Sequence, residues 1–352
     1  MLKVVSTSAL VMFLSFAVTS GEASDQQNGR SQFLTGVNIA GAEFGEKKMP
    51  GKHGTDYFYP SRANMDLFIG KGLRTLRIPF RWERMQHALY GDVDAGEAKL
   101  LDDVVNYATG KGARVILDVH NYASFMRRPI GTADVPTDAL ADLWKRLAAR
   151  YKNNGKVIFG LMNEPKGLAT ETWLDAANKS IAAIRSAGAR NLILVPGNGW
   201  TGAHSWASRS YGTPNAEAMA RVVDPANNFA YEVHQYLDSN YSGTKPECRS
   251  ATIGVEKLTA MTQWLRAHKR RALLGEFGAG KDATCLAALD GMLTYMAENA
   301  DAWMGWTYWA AGPWQPTYFT NLQPVNGVDP PQLQVLLRHV APAAATQRRS
   351  VN

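Results

Sequence analysis

The sequence predicts an α/β protein of one domain, a closed (β/α)8 barrel, and three observations lead there. First, apolar runs able to form buried strands begin near Gly36, Thr75, Arg114, Val157, Asn191, Phe229, Arg271 and Trp303. Their spacing of roughly 32 to 43 residues is that of a strand followed by a helix. Second, the gaps carry helical stripes. Third, no G-x-G-x-x-G or phosphate loop follows any run, which speaks against an open, doubly wound sheet. Gly51-Lys52-His53-Gly54-Thr55 has the wrong glycine spacing for a phosphate loop.

The stripes follow the 3.6-residue period. Leu101, Val104, Val105 and Ala108 fall at i, i+3, i+4 and i+7, with Gly110 and Gly112 closing the helix. Thr137 is placed to cap a helix bearing Leu140, Leu143, Leu147 and Tyr151. Leu258, Met261 and Leu265 mark another, which ends at the basic run His268 to Arg271, where cations complement the helix dipole. Asp282 caps a helix with Leu286, Leu289 and Leu293, and Asp329-Pro330-Pro331 opens the last, with Leu333, Leu336, Leu337 and Val340 on one face. The fifth unit, Gly212 to Arg221, offers only a weak helix.

Composition bounds the rest. The 352 residues, 45% hydrophobic and 20% charged, suit a globular protein with a substantial core. A net charge of +7 comes from basic residues scattered through helices, so a solvated surface is expected and no nucleic-acid partner. Met1 to Ala23 reads as a secretory leader: Lys3, then an apolar centre from Ala9 to Val18 too short to span a bilayer, then Gly21 and Ala23. Residues 24–35 read as a short polar segment, 36–341 as the barrel, and 342–352 as a loose tail. Export to an extracellular or periplasmic space implies oxidising conditions, in which Cys248 and Cys285 are expected to pair.

In such barrels the active site lies at the C-terminal ends of the strands. Taken in chain order, those ends carry Asn38; Arg77, turned inward by period-two alternation with Leu76, Ile78 and Phe80; Asp118 and His120; Asn163 and Glu164; and Asn198, with Trp200 and Trp206 beyond. Glu232, His234 and Tyr236 follow on one face, then Glu276, and last Trp306-Thr307-Tyr308-Trp309. Glu164 and Glu276 end strands four and seven, nearly opposite across the barrel mouth. Glycoside hydrolysis needs such a pair, one carboxyl protonating the leaving oxygen while the other attacks or activates water. Arg77 and the Tyr236 hydroxyl are placed to hold Glu276 ionised as nucleophile. Glu164, beside Asn163 and His234, is the better proton donor. Trp200, Trp206 and Trp309 form a cluster able to stack on sugar rings. A metal hydrolase is disfavoured because no H-x-H or H-E-x-x-H occurs, and a serine hydrolase because no G-x-S-x-G occurs. A non-catalytic sugar-binding barrel would keep the aromatics but has no need of both glutamates.

Assembled in this order, the residues resemble glycoside hydrolase family five, in its endoglucanase branch of fungal and bacterial enzymes. The resemblance runs from Gly36 to Val340 on Gly36-Val37-Asn38 through Gly45, Arg77-Ile78-Pro79-Phe80, Asp118-Val119-His120-Asn121-Tyr122, Asn163-Glu164-Pro165, His234-Gln235-Tyr236, Gly275-Glu276-Phe277-Gly278 and Trp306 to Trp309. It implies Glu276 as nucleophile and Glu164 as acid/base. Arg77 and Tyr236 then support the nucleophile, His234 stands near the acid/base, Asn163 contacts the sugar 2-OH, and His120 and Trp309 line the cleavage point. Asn38, Asn121, Trp200 and Trp206 join the expected substrate contacts. It further implies a β-1,4-glucan or cello-oligosaccharide substrate and no cofactor; no metal is expected, and the chain is expected to be a monomer. Mannan, xyloglucan and mixed-linkage glucan remain alternatives on the same frame.

Overall fold

Period-two runs of apolar residues become strands that close on themselves in the computed structural model, which describes Met1 and residues 33–340. The expected leader (Met1 apart), residues 24–32 and the tail 342–352 lie outside the described residues. The eight barrel strands are β1 (Leu34–Ile39), β2 (Thr75–Phe80), β3 (Arg114–Val119), β4 (Val157–Gly160), β5 (Ile193–Pro196), β6 (Phe229–His234), β7 (Ala272–Glu276) and β8 (Trp303–Ala311). All pair in parallel, and β1 bonds to both β2 and β8, so no edge remains. The barrel helices are α1 (Arg62–Gly70), α2 (Ala95–Gly110), α3 (Ala139–Tyr151), α4 (Thr170–Ser186), α5 (Asn215–Ala218), α6 (Ile253–Ala267), α7 (Ala283–Glu298) and α8 (Pro331–Arg338), with an additional helical turn at Trp82–Met85.

Two expected boundaries shift. β1 begins at Leu34, so the last two residues of the supposed polar segment belong to the barrel. Thr137 is not the α3 cap: Asp138 holds that position without a side-chain cap bond, and the Thr137 hydroxyl donates to Asp175 instead. Asp282 does cap α7, accepting from the Cys285 N–H at 3.0 Å. α5 is a single turn continued by a 3-10 turn, Met219–Arg221, as thin as the sequence promised.

Alternation sorts the core into two shells. Leu76, Ile78, Phe80, Val115, Leu117, Val157, Tyr231 and Val233 face the helices. Leu34, Ile116, Ile158, Leu194, Ala230, Leu273 and Met304 plug the inside of the barrel. Above this apolar plug the inward positions turn charged: Arg77, Asp118 and Glu232 are each 1% exposed or less. Several tryptophans serve the frame. Trp144 on α3 donates its indole N–H to the Leu161 carbonyl at 3.0 Å, and Trp173 on α4 donates to Pro196 at 2.7 Å. These bonds tie the outer helices to the tips of β4 and β5, the end that carries the chemistry.

Cys248 and Cys285 are joined, fastening the β6–α6 loop to α7. The loop spans 37 residues. Its closure should stabilise the fold by about 3–4 kcal/mol in the chain-entropy model. The double variant Cys248→Ala/Cys285→Ala is expected to lose that amount in urea unfolding, while a change below about 1 kcal/mol would show that the cross-link constrains little.

Candidate active site

Arg77 stands at the centre of the barrel mouth because alternation in β2 leaves it no outward option. Its guanidinium meets Glu276 Oε1 at 2.8 Å, Asp118 Oδ2 at 3.0 Å and Glu232 Oε1 at 2.8 Å. It also donates to the side-chain oxygens of Asn38 at 2.8 Å and Asn163 at 2.9 Å. Burial alone would weaken its hold on the proton, but the charges of Asp118, Glu232 and Glu276 outweigh burial and leave it firmly cationic. Glu232 fits beneath it because residue 275 is glycine. A Cβ there would lie 2.3 Å from Glu232 Oε1.

Glu276 ends β7 with its side chain 5% exposed. Besides Arg77, it accepts from the Tyr236 hydroxyl at 3.0 Å, and His234 Nδ1 lies 3.6 Å from Oε2. Burial raises its pKa above the ordinary glutamate value of 4.5; Glu164 adds to the rise, while His234 and Arg77 oppose it. Arg77 thus pulls in the expected direction, favouring the anion, but does so against desolvation. Tyr236 is buried and its phenol is pushed well up, so it stays a donor.

Glu164 follows β4 at a φ of 44°, a left-handed conformation uncommon outside glycine. Tyr122, Trp200 and Thr201 share that region with φ of 53°, 58° and 50°. Backbone bonds hold the turns: Asn163 N–H to the Val119 carbonyl at 2.8 Å, Tyr122 N–H to Asn163 at 3.1 Å, and Trp200 N–H to Pro165 at 3.1 Å. Such local cost gathers where a side chain must be presented. The Glu164 carboxylate meets His234 Nδ1 at 2.9 Å, and its side chain is 16% exposed against 3% for His234.

The two histidines have opposite states. His120 gives Nδ1 to Asp118 at 2.7 Å and lies 3.2 Å from the Asn163 amide nitrogen through Nε2. Burial lowers its pKa to about 3, so it is neutral and Nε2 accepts. His234 is also desolvated, but Glu276, Glu164 and Glu232 surround it and raise it to about 10. It is an imidazolium between two carboxylates. Asn163 is thus fixed at both ends, with Arg77 on its oxygen and His120 on its nitrogen, leaving one amide proton for a ligand. Trp309 is half-buried, with its ring stacked on His120 at 5.5 Å and 19°.

Glu164, His234 and Glu276 each offer an atom within 4.8 Å of the other two, a spacing that a metal ion could also use. A protonated imidazole has no lone pair for a metal, so this donor set fits a proton-transfer site better. The same distance brings the two carboxylates close enough to work on one bond.

A cellulase family model, glycosyl hydrolase family 5, matches residues 37–312, most of the described barrel. The chain belongs to glycosyl hydrolase family 5. Among curated relatives, the probable endo-beta-1,4-glucanase B of Aspergillus oryzae is 40% identical over 89% of this chain and 92% of its own. Among solved structures, XacCel5A in complex with cellopentaose shares 50% identity and a TM-score of 0.86, covering 88% of this chain and 99% of that one. The Pseudomonas stutzeri endoglucanase Cel5A in complex with cellobiose follows at 35% identity and 0.81, over 88% and 92%. The protein is a family 5 glycoside hydrolase, and its fold is the family's closed barrel of parallel strands.

Against this frame, three expected substrate contacts of the family 5 chain fall away. Asn38 is fully buried, its amide spent on the carbonyls of Gly275, Thr307 and Tyr308 at 2.9 to 3.2 Å and its oxygen on Arg77. Asn121 accepts from the Trp82 N–H at 2.8 Å and donates to Glu83 at 2.7 Å, which makes it a loop brace. Trp206, 2% exposed, packs edge-on against Tyr231 and Trp264 on the outer side of the barrel. Trp200 keeps its place, 42% exposed on the cleft wall.

Other residues were under-read. Asp118 and Glu232 share a face with His120 and His234, a signal visible two residues upstream of each histidine. Tyr122, Lys166, Tyr211 and Tyr241 join Glu164 around a cavity of about 470 Å3. They stand on loops, where no periodicity announces which way a side chain turns. Among the described residues no helix is long and apolar enough to cross a membrane.

Proposed function

We propose that the chain is a secreted, monomeric endo-β-1,4-glucanase that cleaves internal bonds of β-glucan with retention of configuration. The observation that carries this is the approach of the Glu164 and Glu276 carboxylate oxygens to within 4.8 Å, with His234 beside both. Retaining enzymes hold the pair about 5–5.5 Å apart and inverting ones about 6.5–9.5 Å, to admit a water. In the first half-reaction a Glu276 oxygen attacks the anomeric carbon while Glu164 gives its proton to the departing glycosidic oxygen. In the second, Glu164 takes a proton from water, which attacks the same carbon and frees Glu276. Tyr236 and Arg77 bind the Glu276 anion before attack and after release. The free Asn163 amide proton suits the sugar 2-OH, a bond that strengthens as positive charge builds at the ring. Trp200 offers a ring face on the cleft wall with Glu164, and Trp309 stands beside His120. The likeness to a probable endo-beta-1,4-glucanase and to XacCel5A, solved with cellopentaose, supports β-1,4-glucan as substrate. One chain supplies every group, and the leader-like residues 1–23 support export.

Viscosity loss and reducing-sugar release on carboxymethylcellulose, lichenan, xylan and mannan, run side by side, test the reading. A rapid fall in viscosity on the first two with none on mannan is expected. Faster cleavage of mannan would make it a mannanase, and hydrolysis of none would leave a sugar-binding barrel.

A pH profile tests the electrostatics. Because the Glu276 pKa is raised, the acid limb of kcat/KM should fall above pH 4.5. The His234 cation lowers that pKa, so His234→Gln should move the acid limb to higher pH. An unmoved or lowered limb would show that His234 carries no charge there.

A further inference from the structure

The cleft wall beyond Glu164 carries positive charge that the reaction above does not use. Lys166, two residues after Glu164, holds its ammonium 5.0 Å from the Tyr122 ring centre and 5.2 Å from that of Trp200. It forms no ion pair among the described residues, and its three N–H donors are uncommitted to any carboxylate. It lines the cavity of about 470 Å3 that touches Glu164, and a second of about 470 Å3 that continues past Trp200 and Tyr211. Two further cations stand behind the first cavity. Lys257 lies 5.3 Å from the Tyr241 ring, and Arg249 lies 5.9 Å from it while donating to its hydroxyl at 2.7 Å.

Glu164 is the one carboxylate among the residues lining either cavity. Asp238, at the root of the loop that carries Tyr241, is 3% exposed and turned onto its own loop, accepting from the N–H groups of Gly243 and Lys245. A cation pressed against two ring faces gives up part of its water, and a partly desolvated ammonium gains more from an anion than from a neutral hydroxyl. Clustered cations along a cleft add a field of the same sign.

We infer that the Glu164 side of the cleft accepts β-glucan units bearing carboxylate groups, with Lys166 as the partner of the carboxylate. The inference rests on the proposed function, in which Glu164 protonates the departing sugar and that sugar lies on its side. It names a substrate class, an anionic β-1,4-glucan.

The test compares kcat/KM on carboxymethylcellulose and on neutral hydroxyethylcellulose of matched chain length, for the full chain and for Lys166→Gln and Lys166→Arg. One exposed ion pair corresponds to about a two- to five-fold effect. The acidic-to-neutral ratio should fall by that factor in Lys166→Gln and be kept in Lys166→Arg. In 1 M NaCl, where screening acts within about 3 Å, the difference between the proteins should close. Mass spectrometry of the fragments should also find substituted glucose at the new non-reducing ends less often with Lys166→Gln. A ratio that is unchanged in Lys166→Gln, or that falls equally in Lys166→Arg, overturns the inference. Failure of the unaltered protein to cut either polymer would instead overturn the proposed function.

Discussion

Glu276→Ala is expected to reduce turnover on β-glucan by on the order of 10⁴-fold or more, the scale of losing a covalent nucleophile. Nothing else in the site can replace it: Tyr236 is a buried donor, and Glu164 stands on the side of the departing oxygen. Cello-oligosaccharide binding should survive, since Trp309, Trp200 and Asn163 are untouched. The decisive readout is rescue. Removing the carboxylate opens space below the anomeric carbon, and azide entering there should yield an α-glycosyl azide, inverted at that carbon. Glu164→Ala should behave differently, losing about 10²–10⁴-fold as a general acid and base. It should regain rate with azide as a β-glycosyl azide, because Glu276 still forms the intermediate. An α product from Glu164→Ala and a β product from Glu276→Ala would exchange the two roles.

Arg77→Met is expected to carry the largest stability loss. The side chain is fully buried and touches Asp118, Glu232 and Glu276, so its removal takes a counter-charge from three buried carboxylates at once and leaves them to the His234 imidazolium. Breaking a buried pair from one side costs about 3–5 kcal/mol. For a barrel of this size, a fall in Tm of about 5–8 °C follows. The pH dependence has a definite sign. Without Arg77 the folded-state carboxylates hold protons more tightly than in the unfolded chain, so the variant loses stability as pH rises. Its deficit in urea unfolding should be smallest near pH 4 and larger at pH 8. A deficit under 1 kcal/mol, or one that grows toward acid, would show that the core carboxylates do not depend on Arg77. The same variant should also move the acid limb of activity upward, since Arg77 lowers the Glu276 pKa.

Arg77, Asn163, Glu164, His234, Tyr236 and Glu276 were legible because each interrupts or ends a buried apolar run, and Trp309 because it closes an aromatic strand end. A charge in such a run has a cost, and strand alternation says which way it faces. Asn38 and Asn121 interrupt runs as well, yet their amides brace backbone carbonyls and loops. An amide at a strand tip satisfies either a ligand or the chain, and the linear order does not distinguish the two. Trp206 failed for a related reason. An indole buries as much area against a helix as against a sugar, and this one faces Trp264 and Tyr231.

Period-two and period-3.6 burial are local properties of the chain, so residue order already gives the closed barrel, the strand tips that face its mouth, and the two glutamates. How those groups are charged is settled by the fold. His120 and His234 each follow a carboxylate at i−2, yet one is neutral and the other an imidazolium. The difference lies in distant neighbours: Glu164, Glu232 and Glu276 around His234, against the Arg77 and Arg81 cations near the equally desolvated His120. Charge state is set by three-dimensional surroundings, and those surroundings bring residues 77, 164, 232 and 276 into one buried network.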